Sequence, residues 1–338
     1  MQADVQMQNS VIANPDQKQP KPANPPNLSD HESARRPRIA VIGDIMVDVD
    51  LHCRCERICQ EGPWPVLSIE RTEQRMGGAG NVLEMLFALD AQAILLGIVG
   101  RDDATTIPAT GSTIGWQLAP GRTTTKTRLW IDGRLTGPRI DVDNSAKSDQ
   151  ATAANWAEIL RQWQPDAVIV ADHGKGVVTE CVMQMLRARR VPLYIDPIKS
   201  TPLPGAGFYP AAIAAGPHEM PNWYRGECII WKRGPNGLHW CDGPRDGDLP
   251  SACRNLVDPL GAGDQFIAAL AFQRCLGTDW REAIEWANQA AGIQCERRGC
   301  VPVPRADIDT FGTFAFDESS RRTQLFQGSH VAVTAFPG

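Results

Sequence analysis

A buried strand, a glycine-rich turn, a helix and a second buried strand follow one another early in the chain. The first strand is the apolar run 38–43, and the turn is Arg75-Met-Gly-Gly-Ala-Gly-Asn81. Apolar residues at helical spacing then occupy 82–89, and residues 93–99 predict the second buried strand. This order is a βαβ unit, whose two strands are parallel because the helix crosses over between them. We therefore expect an α/β fold with an at least partly parallel sheet.

The same alternation continues towards the C-terminus. Residues 151–163 and 180–190 predict helices, and each of them leads into a short apolar strand, 167–171 and 192–196. A hairpin is expected earlier, where two strand-like segments within residues 123–142 flank a central Asp-Gly turn.

Bulk composition argues against several classes of protein. The 338 residues carry a net charge of −5, and the sequence pI is about 5.7. Such a chain lacks the basic surface that nucleic acids and anionic membranes attract. No apolar run reaches the ~20 residues that cross a bilayer, and the N-terminus lacks a signal-peptide core. We expect a cytoplasmic protein with no nucleic-acid or membrane partner.

The two ends of the chain differ in composition from its middle. Residues 1–36 are rich in Gln, Asn, Pro and Lys, so a disordered N-terminal tail is expected. Residues 37–305 are expected to form the folded domain. Residues 306–338 are mostly polar with isolated Phe residues and are interpreted as a C-terminal extension.

Ten cysteines are scattered without a repeated spacing. Cys53, Cys55 and Cys59 form a cluster, and a zinc site there would need a fourth ligand such as His52. No second pair of ligands follows, so free thiols in a reducing compartment are the simpler interpretation.

The most specific chemical motif is Asp258-Pro-Leu-Gly-Ala-Gly-Asp264. Apolar residues at helical spacing follow it, so a helix is expected to begin near Asp264. The backbone N–H groups of 261–263 would then lie at a helix N-terminus, which attracts anions. Asp264 is either a helix N-cap after a tight turn or a general base for a hydroxyl that attacks a phosphoryl group.

Acidic residues also stand where the predicted strands end. The candidates are Asp44, Asp102, Asp172 with Lys175, and Asp196 with Lys199. In open α/β sheets, ligands bind at the carboxyl ends of the strands. One acid after one strand is ordinary, whereas four such strand ends predict a shared site.

Two glycine-rich motifs with strand-end aspartates between them resemble the ribokinase-like (PfkB) carbohydrate kinase family over residues 38–304. Residues 75–81 are similar to the N-terminal signature of that family, and residues 258–264 to its C-terminal signature. The resemblance implies an α/β, ribokinase-like three-layer fold with a mostly parallel central sheet, helices on both faces and a small β lid. Lid strands within 49–75 and 122–143 would close over the sugar.

The resemblance implies a role for each matching position. Asp264 would take the proton from a sugar hydroxyl, while the amides of Gly261, Ala262 and Gly263 hold the phosphoryl oxygens. The residues implied to contact the sugar or its phosphate are Asp44, Asp48, Gly77, Gly78, Asn81, Lys126, Arg128, Asp172 and Lys175. Those implied to contact ATP are Asp196, Lys199, Lys232, Gly234, Gly237 and Asn288. For Lys126 and Arg128, a cross-strand role on the surface is the alternative.

The resemblance also implies a substrate and cofactors, ATP with Mg²⁺. Residues 41–48, 63–66, 75–78, 123–128, 172–176 and 287–292 are similar to kinases that phosphorylate the anomeric hydroxyl of D-glycero-D-manno-heptose 7-phosphate to give the 1,7-bisphosphate. Such kinases are often fused to a nucleotidyltransferase, whose HxGH motif is absent here, so a stand-alone kinase is expected. A homodimer formed through the β lid is a further expectation.

Other functions remain open. A kinase of the same fold could act on another sugar or on a nucleoside, because the fold does not settle the substrate. A degenerate member of the family could bind a sugar or nucleotide without transferring phosphate. A nicotinamide-dependent dehydrogenase is disfavoured because residues 43–48 lack GxGxxG after the first strand.

Two positions depart from the family pattern. Pro259 stands where the family has Thr, and it removes a backbone N–H from the loop. The Asn-x-x-Glu motif that helps to organise Mg²⁺ is not intact, and Glu219 is the candidate metal ligand near its place. These departures motivate the degenerate alternative.

Overall fold

The computed structural model describes residues 36–101, 114–119, 121–144, 146–197, 212–216 and 226–311. The predicted tail, the extension beyond residue 311, and the site residues Asp102, Lys199 and Glu219 lie outside these ranges. The division of the chain near residues 36 and 305 therefore stays a prediction.

Within the described residues, nine strands form a central sheet in the order β14-β13-β12-β11-β10-β9-β1-β4-β5. The strands are β1 (Arg38–Gly43), β4 (Gln92–Gly100), β5 (Ile114–Ala119), β9 (Ala167–Ala171), β10 (Leu193–Asp196), β11 (Ala212–Ala215), β12 (Cys228–Lys232), β13 (Leu238–Cys241) and β14 (Asp246–Leu249). The seven strands from β12 to β5 pair in parallel, and β13 and β14 are antiparallel. The predicted, mostly parallel sheet is confirmed.

Helices cover both faces of this sheet. They are α1 (Ala79–Ala88), α2 (Gln150–Trp163), α3 (Glu180–Arg187), α4 (Ala262–Cys275), α5 (Trp280–Cys295) and α6 (Arg305–Phe311). Alternate side chains of β1 enter two separate cores: Ile39 and Val41 pack on the side of α1, α4 and α5, while Ala40 and Ile42 pack towards α2 and α3. Both faces are buried, as a parallel sheet requires, and the three-layer fold is confirmed. No helix in the described ranges is long and apolar enough to span a membrane.

A second sheet lies beside the first and contains the predicted lid strands. Its described strands are β2 (Ile45–Ile58), β3 (Pro65–Gly78), β6 (Thr124–Ile131), β7 (Arg134–Leu135) and β8 (Ile140–Val142). Their order is β3-β2-β6-β7, and β8 also pairs with β6. The hairpin turn falls at Asp132 and Gly133, both with positive φ, which suits a tight two-residue turn.

The junction between lid and scaffold differs from the sequence prediction. Gly77 and Gly78 were expected in a turn, but they end strand β3 and pair with Met46 and Ile45 of β2. A side chain at Gly77 would stand 2.7 Å from Asp48 Oδ2, so glycine lets the two strands stay paired here. Gly78 has φ 58°, which suits glycine, and α1 begins at the next residue. The strand therefore passes directly into the helix.

Candidate active site

Asp264 lies in the first turn of α4, and it is not the helix cap. The cap is Gly261 with φ 79°, and Ala262 is the first helical residue, two positions earlier than expected. The Asp264 carboxylate instead accepts a hydrogen bond from another helix, with Asn81 Nδ2 2.7 Å from Asp264 Oδ2. The N-cap interpretation of Asp264 is therefore wrong. Asn81, which could itself have been a cap, is the third residue of α1 and orients the carboxylate.

The backbone amides at the start of α4 point to an anion site. The first intrahelical bond runs from Gln265 N to Gly261 O (2.8 Å), and Ala262 N donates back to Pro259 O at 3.3 Å. The Gly263 and Asp264 amides have no acceptor within the helix. The Ala262 amide is thus already engaged in the turn, whereas the Gly263 amide matches the predicted anion-hole role.

Proline at 259 does not break this loop. Asp258 Oδ1 accepts from Leu260 N at 3.0 Å, and Asp258 Oδ2 accepts from Gly299 N at 3.0 Å. The Asp258 carboxylate therefore fixes the turn without a bond from the N–H that proline lacks. The glycine cap is enclosed, because a Cβ at Gly261 would stand 2.9 Å from Cys300 Sγ.

The electrostatic surroundings of Asp264 suit a base. Burial raises the pKa of the Asp264 carboxyl above its usual value, and Asp196 acts in the same direction. The charge of His173, the Asn81 hydrogen bond and the charge of Lys232 oppose the rise. A carboxylate that has lost water and gained few donors accepts a proton more readily.

An ion pair lies beside Gly263, at the start of α4. Lys232 Nζ, at the end of β12, is 2.8 Å from Asp196 Oδ1, at the end of β10. The position that a Cβ would take at Gly263 is 3.3 Å from Lys232 Nζ and 3.7 Å from Asp196 Oδ2. A cation therefore lies where the helix N-terminus already favours negative charge.

A cavity of about 760 Å³ opens from the same point. Six of the predicted anion-hole and ATP residues line it: Lys232, Gly234, Gly237, Ala262, Gly263 and Asn288. Apolar residues, Leu238 and Phe266 among them, complete its wall. Its volume is in the range of small-molecule sites. The cavity is thus continuous with the helix N-terminus and Lys232, although its ligand stays a prediction.

Asp44 binds the backbone of the loop after β9. Its side chain is buried and accepts three backbone N–H bonds, from His173 (2.8 Å), Lys175 (3.1 Å) and Val177 (3.0 Å). Both oxygens accept amides from the loop after β9, and the contact of Asp44 with a sugar stays a prediction. The carboxylate holds that loop on the scaffold.

Asp48 is placed differently, on the lid strand β2. Asp48 Oδ1 is 2.9 Å from Arg128 NH1, and both side chains are nearly buried. Asp48 Oδ2 faces Gly77, so these three predicted sugar-site residues come together. The ion pair supports the cross-strand role that was the alternative for Arg128. Lys126 pairs in register with Asp48 on the neighbouring strand, and its substrate contact stays a prediction.

In the loop after β9, Asp172 bonds within the loop, whereas Lys175 contacts the lid. Asp172 Oδ1 accepts from Gly174 N at 2.9 Å, within the loop. Lys175 Nζ donates to Asp143 Oδ2 at 2.7 Å, next to the lid strand β8. Their contacts with substrate stay predictions.

Three further residues near the site were not singled out from the sequence. Arg75 pairs with the buried Asp50 on the lid, Cys300 packs against Gly261, and His173 lies beside Gly78. Burial raises the pKa of the Cys300 thiol to about 11. Of these three residues, only Arg75 and His173 belong to motifs recognised in the sequence, at residues 75–81 and 172–176.

Metal ligation has little support within the described ranges. There, no group of three His, Cys, Asp or Glu side chains is arranged to hold a metal ion. Cys53, Cys55 and Cys59 are not paired in disulfides, and they do not form such a group with His52.

Comparison with known proteins identifies similar sequences. Residues 217–306 match the family model of the pfkB family carbohydrate kinases. The chain is 28% identical over 296 residues to the bifunctional protein HldE of Pseudomonas aeruginosa, covering 80% of this chain and 62% of that protein. HldE of Methylobacillus flagellatus is 29% identical over 305 residues, with coverage of 80% and 62%. The chain thus spans 62% of the length of these relatives.

Solved structures show the same fold. Arabidopsis thaliana ribokinase, complexed with ribose and ATP, superposes with a TM-score of 0.62 at 16% identity, covering 83% of this chain and 100% of that one. Phosphofructokinase-2 from Escherichia coli, in complex with potassium, gives 0.65 at 13% identity, covering 82% and 98%. The ribokinase-like fold is thereby confirmed. Residues 217–306 are thus similar to the pfkB family carbohydrate kinases, within a chain that has the ribokinase-like fold.

Proposed function

We propose that this chain is an ATP-dependent sugar kinase. The observation that carries the proposal is that Asp264 follows Gly263 at the start of α4 and is within electrostatic range of Lys232, while Gly263 and Lys232 both line the 760 Å³ cavity. A base, an anion-binding helix N-terminus and a cation are the parts that phosphoryl transfer needs, because its catalysis is mostly positioning and charge stabilisation.

The reaction transfers the γ-phosphoryl group of ATP to a sugar hydroxyl. As the hydroxyl oxygen attacks phosphorus, its proton passes to the Asp264 carboxylate and the bond to the ADP oxygen breaks. The Gly263 amide and Lys232 stabilise the negative charge on the phosphoryl oxygens. Asn81 keeps the Asp264 carboxylate oriented throughout.

Mg²⁺ is expected to accompany ATP, and the charges at this end of the cavity suit it. Mg²⁺ usually takes one or two carboxylates together with nucleotide phosphates and water. Asp196, whose Oδ2 faces Gly263, fits that donor set. Bound Mg²⁺ would neutralise phosphate charge, while Glu219 remains a sequence-based candidate ligand.

The sugar is proposed to lie on the lid side of Asp264. Asp48 and Gly77 are the residues there with the best-supported places, since a carboxylate can bind two neighbouring hydroxyls and a glycine allows close approach. Closure of the lid would exclude water from the reaction.

The acceptor is proposed to be the anomeric hydroxyl of D-glycero-D-manno-heptose 7-phosphate. The support is the resemblance carried by residues 41–48, 63–66, 75–78 and 172–176. Another sugar, or a nucleoside, would fit the same chemistry at Asp264 equally well.

A coupled ADP-release screen tests the proposal. Purified protein with ATP and Mg²⁺ is given free sugars, sugar phosphates and nucleosides, with heptose 7-phosphate included and a no-sugar reaction as control. We expect sugar-dependent ADP release, greatest with heptose 7-phosphate. Turnover restricted to another sugar would overturn the heptose assignment alone.

Calorimetric titration of the protein with ATP in the presence of Mg²⁺ separates a kinase from a degenerate binder. ATP binding together with sugar-dependent turnover supports the kinase. Nucleotide binding without turnover on any sugar supports the degenerate alternative, and absence of nucleotide binding under any condition contradicts the kinase.

A further inference from the structure

His173 is held in place by the scaffold. Its backbone N–H donates to the buried Asp44 Oδ2 at 2.8 Å, and the amides of Lys175 and Val177 bind the same carboxylate. Three bonds to one buried carboxylate leave this loop little freedom. The imidazole therefore projects from a fixed point.

The ring borders the proposed reaction centre. His173 Cδ2 is 3.2 Å from the position that a Cβ would take at Gly78, so the ring lies against the junction of β3 and α1. It is also close enough to Asp264 for its charge to act on that carboxyl group. His173 thus lies against Gly78 of the N-terminal glycine motif and within electrostatic range of Asp264.

One ring nitrogen is left unpaired. Among the described residues, His173 Nε2 is buried and has no hydrogen-bond partner. Most buried side-chain polar atoms in proteins are paired, and leaving one unpaired has an energetic cost. A buried nitrogen without a protein partner, beside Gly78 and within electrostatic range of the proposed base, points to a contact with the substrate.

We propose that His173 Nε2 hydrogen-bonds a hydroxyl of the acceptor sugar and thereby turns the reacting hydroxyl towards Asp264. This inference rests on the proposed kinase function and adds a specificity-determining residue to it. The ligand class is a polyol with a second hydroxyl near the one that reacts.

Three substitutions at this position separate a direct contact from a packing role. His173→Gln carries an amide near the place of Nε2, His173→Asn carries one near Nδ1, and His173→Phe fills the space without a nitrogen. His239→Phe is the matched control, since His239 lies on β13 and contacts Asp248 outside the proposed sugar site.

We expect His173→Phe to lower kcat/KM for the sugar by roughly 10- to 100-fold, the loss of one buried hydrogen bond. His173→Gln should recover much of that loss and His173→Asn little of it. In the His173 variants, the KM for ATP and the thermal midpoint should stay near wild type. The His239→Phe enzyme should keep the wild-type sugar kinetics.

Three results would overturn the inference. Unchanged sugar kinetics in His173→Phe would exclude a contact, and equal losses in all three variants with a lowered thermal midpoint would show a packing role. A wild-type enzyme without turnover on any sugar would overturn the proposed function, and this inference with it.

Discussion

The scaffold around Asp264 and the lid around Asp48 are built on opposite principles. In the scaffold, β1 is almost wholly buried, and the middle of α4 from Gln265 to Gln273 is buried throughout. In the lid, much of β3 is exposed, and charged pairs such as Arg128 with Asp48 and Arg75 with Asp50 connect the strands. The comparison suggests that the scaffold fixes the chemistry and the lid selects the sugar.

The difference follows from what each region must do. A base and an anion site need fixed positions, which a two-sided apolar core provides. A lid must open and close, and regions that bury less apolar surface open at lower free energy. Each prediction below sets one position in a region against a matched one.

The largest effect is expected from Gly261→Ala. A Cβ there would stand 2.9 Å from Cys300 Sγ at φ 79°, so the loop must shift and the amides must leave their positions. Loss of an anion-stabilising donor typically lowers kcat by about 10²- to 10³-fold. Gly277→Ala is the control, since it has φ 86° but nothing within 4 Å of the added Cβ. Similar kcat losses in both variants would contradict the account.

The next effect separates Asp44, at the junction of β1 and β2, from Asp48 on β2. Asp44→Asn replaces an oxygen that accepts buried amides with an NH₂ donor, and should lower the free energy of unfolding by about 3 kcal/mol. Asp48→Asn leaves the nearly buried Arg128 without its charged partner, so it should also lower the free energy of unfolding, by about 3 kcal/mol, and in addition should raise the sugar KM. Denaturant unfolding and sugar kinetics check both. An unchanged sugar KM in Asp48→Asn, or an equal rise of KM in both variants, would remove the distinction between scaffold and lid.

A smaller effect concerns stability at Asp264 itself. Because its pKa is raised in the folded protein, the ionised form is disfavoured there. The contribution of the Asp264 carboxyl to folding stability is favourable below its pKa in the unfolded chain and is lost as the pH rises through its pKa in the folded protein. Asp264→Asn should therefore raise the thermal midpoint at neutral pH. The gain should shrink as the pH falls towards 3.8, the ordinary value. A lower midpoint at neutral pH would contradict the assignment.

The smallest effect is expected at the pair of Lys175 with Asp143, which links the β9 loop to the lid. Their side chains are 24% and 51% exposed, and such pairs contribute at most about 1 kcal/mol. Lys175→Met should therefore change the unfolding free energy by less than that in a denaturant titration. A loss of several kcal/mol would show that the lid is fixed to the scaffold more firmly than proposed.

Local sequence patterns were enough to predict much of the fold and part of the candidate site. The order of β1, α1 and β4, the later helix–strand pairs and the glycine loop before α4 all follow from periodicity and helix-end signals. Asp264 stands in such a local motif, which is why its position relative to the loop could be predicted closely.

The remaining features of the site depend on contacts between segments that are distant in the sequence, so they could not be predicted. Nothing near Asp44 in the sequence shows that its carboxylate binds amides 129 to 133 positions away. The neighbourhood of Lys232, Asp196 and Gly263 likewise exists only because β12, β10 and α4 converge. The same holds for His173, whose exposed or buried state cannot be read from a loop motif.

The central claim is that Asp264 is the base for phosphoryl transfer on a preformed anion site. Single-turnover transfer from γ-labelled ATP to the best sugar of the screen tests it most directly in Asp264→Asn. We predict ATP affinity near wild type with transfer slowed by roughly 10²- to 10⁴-fold. Transfer at the wild-type rate would contradict the claim.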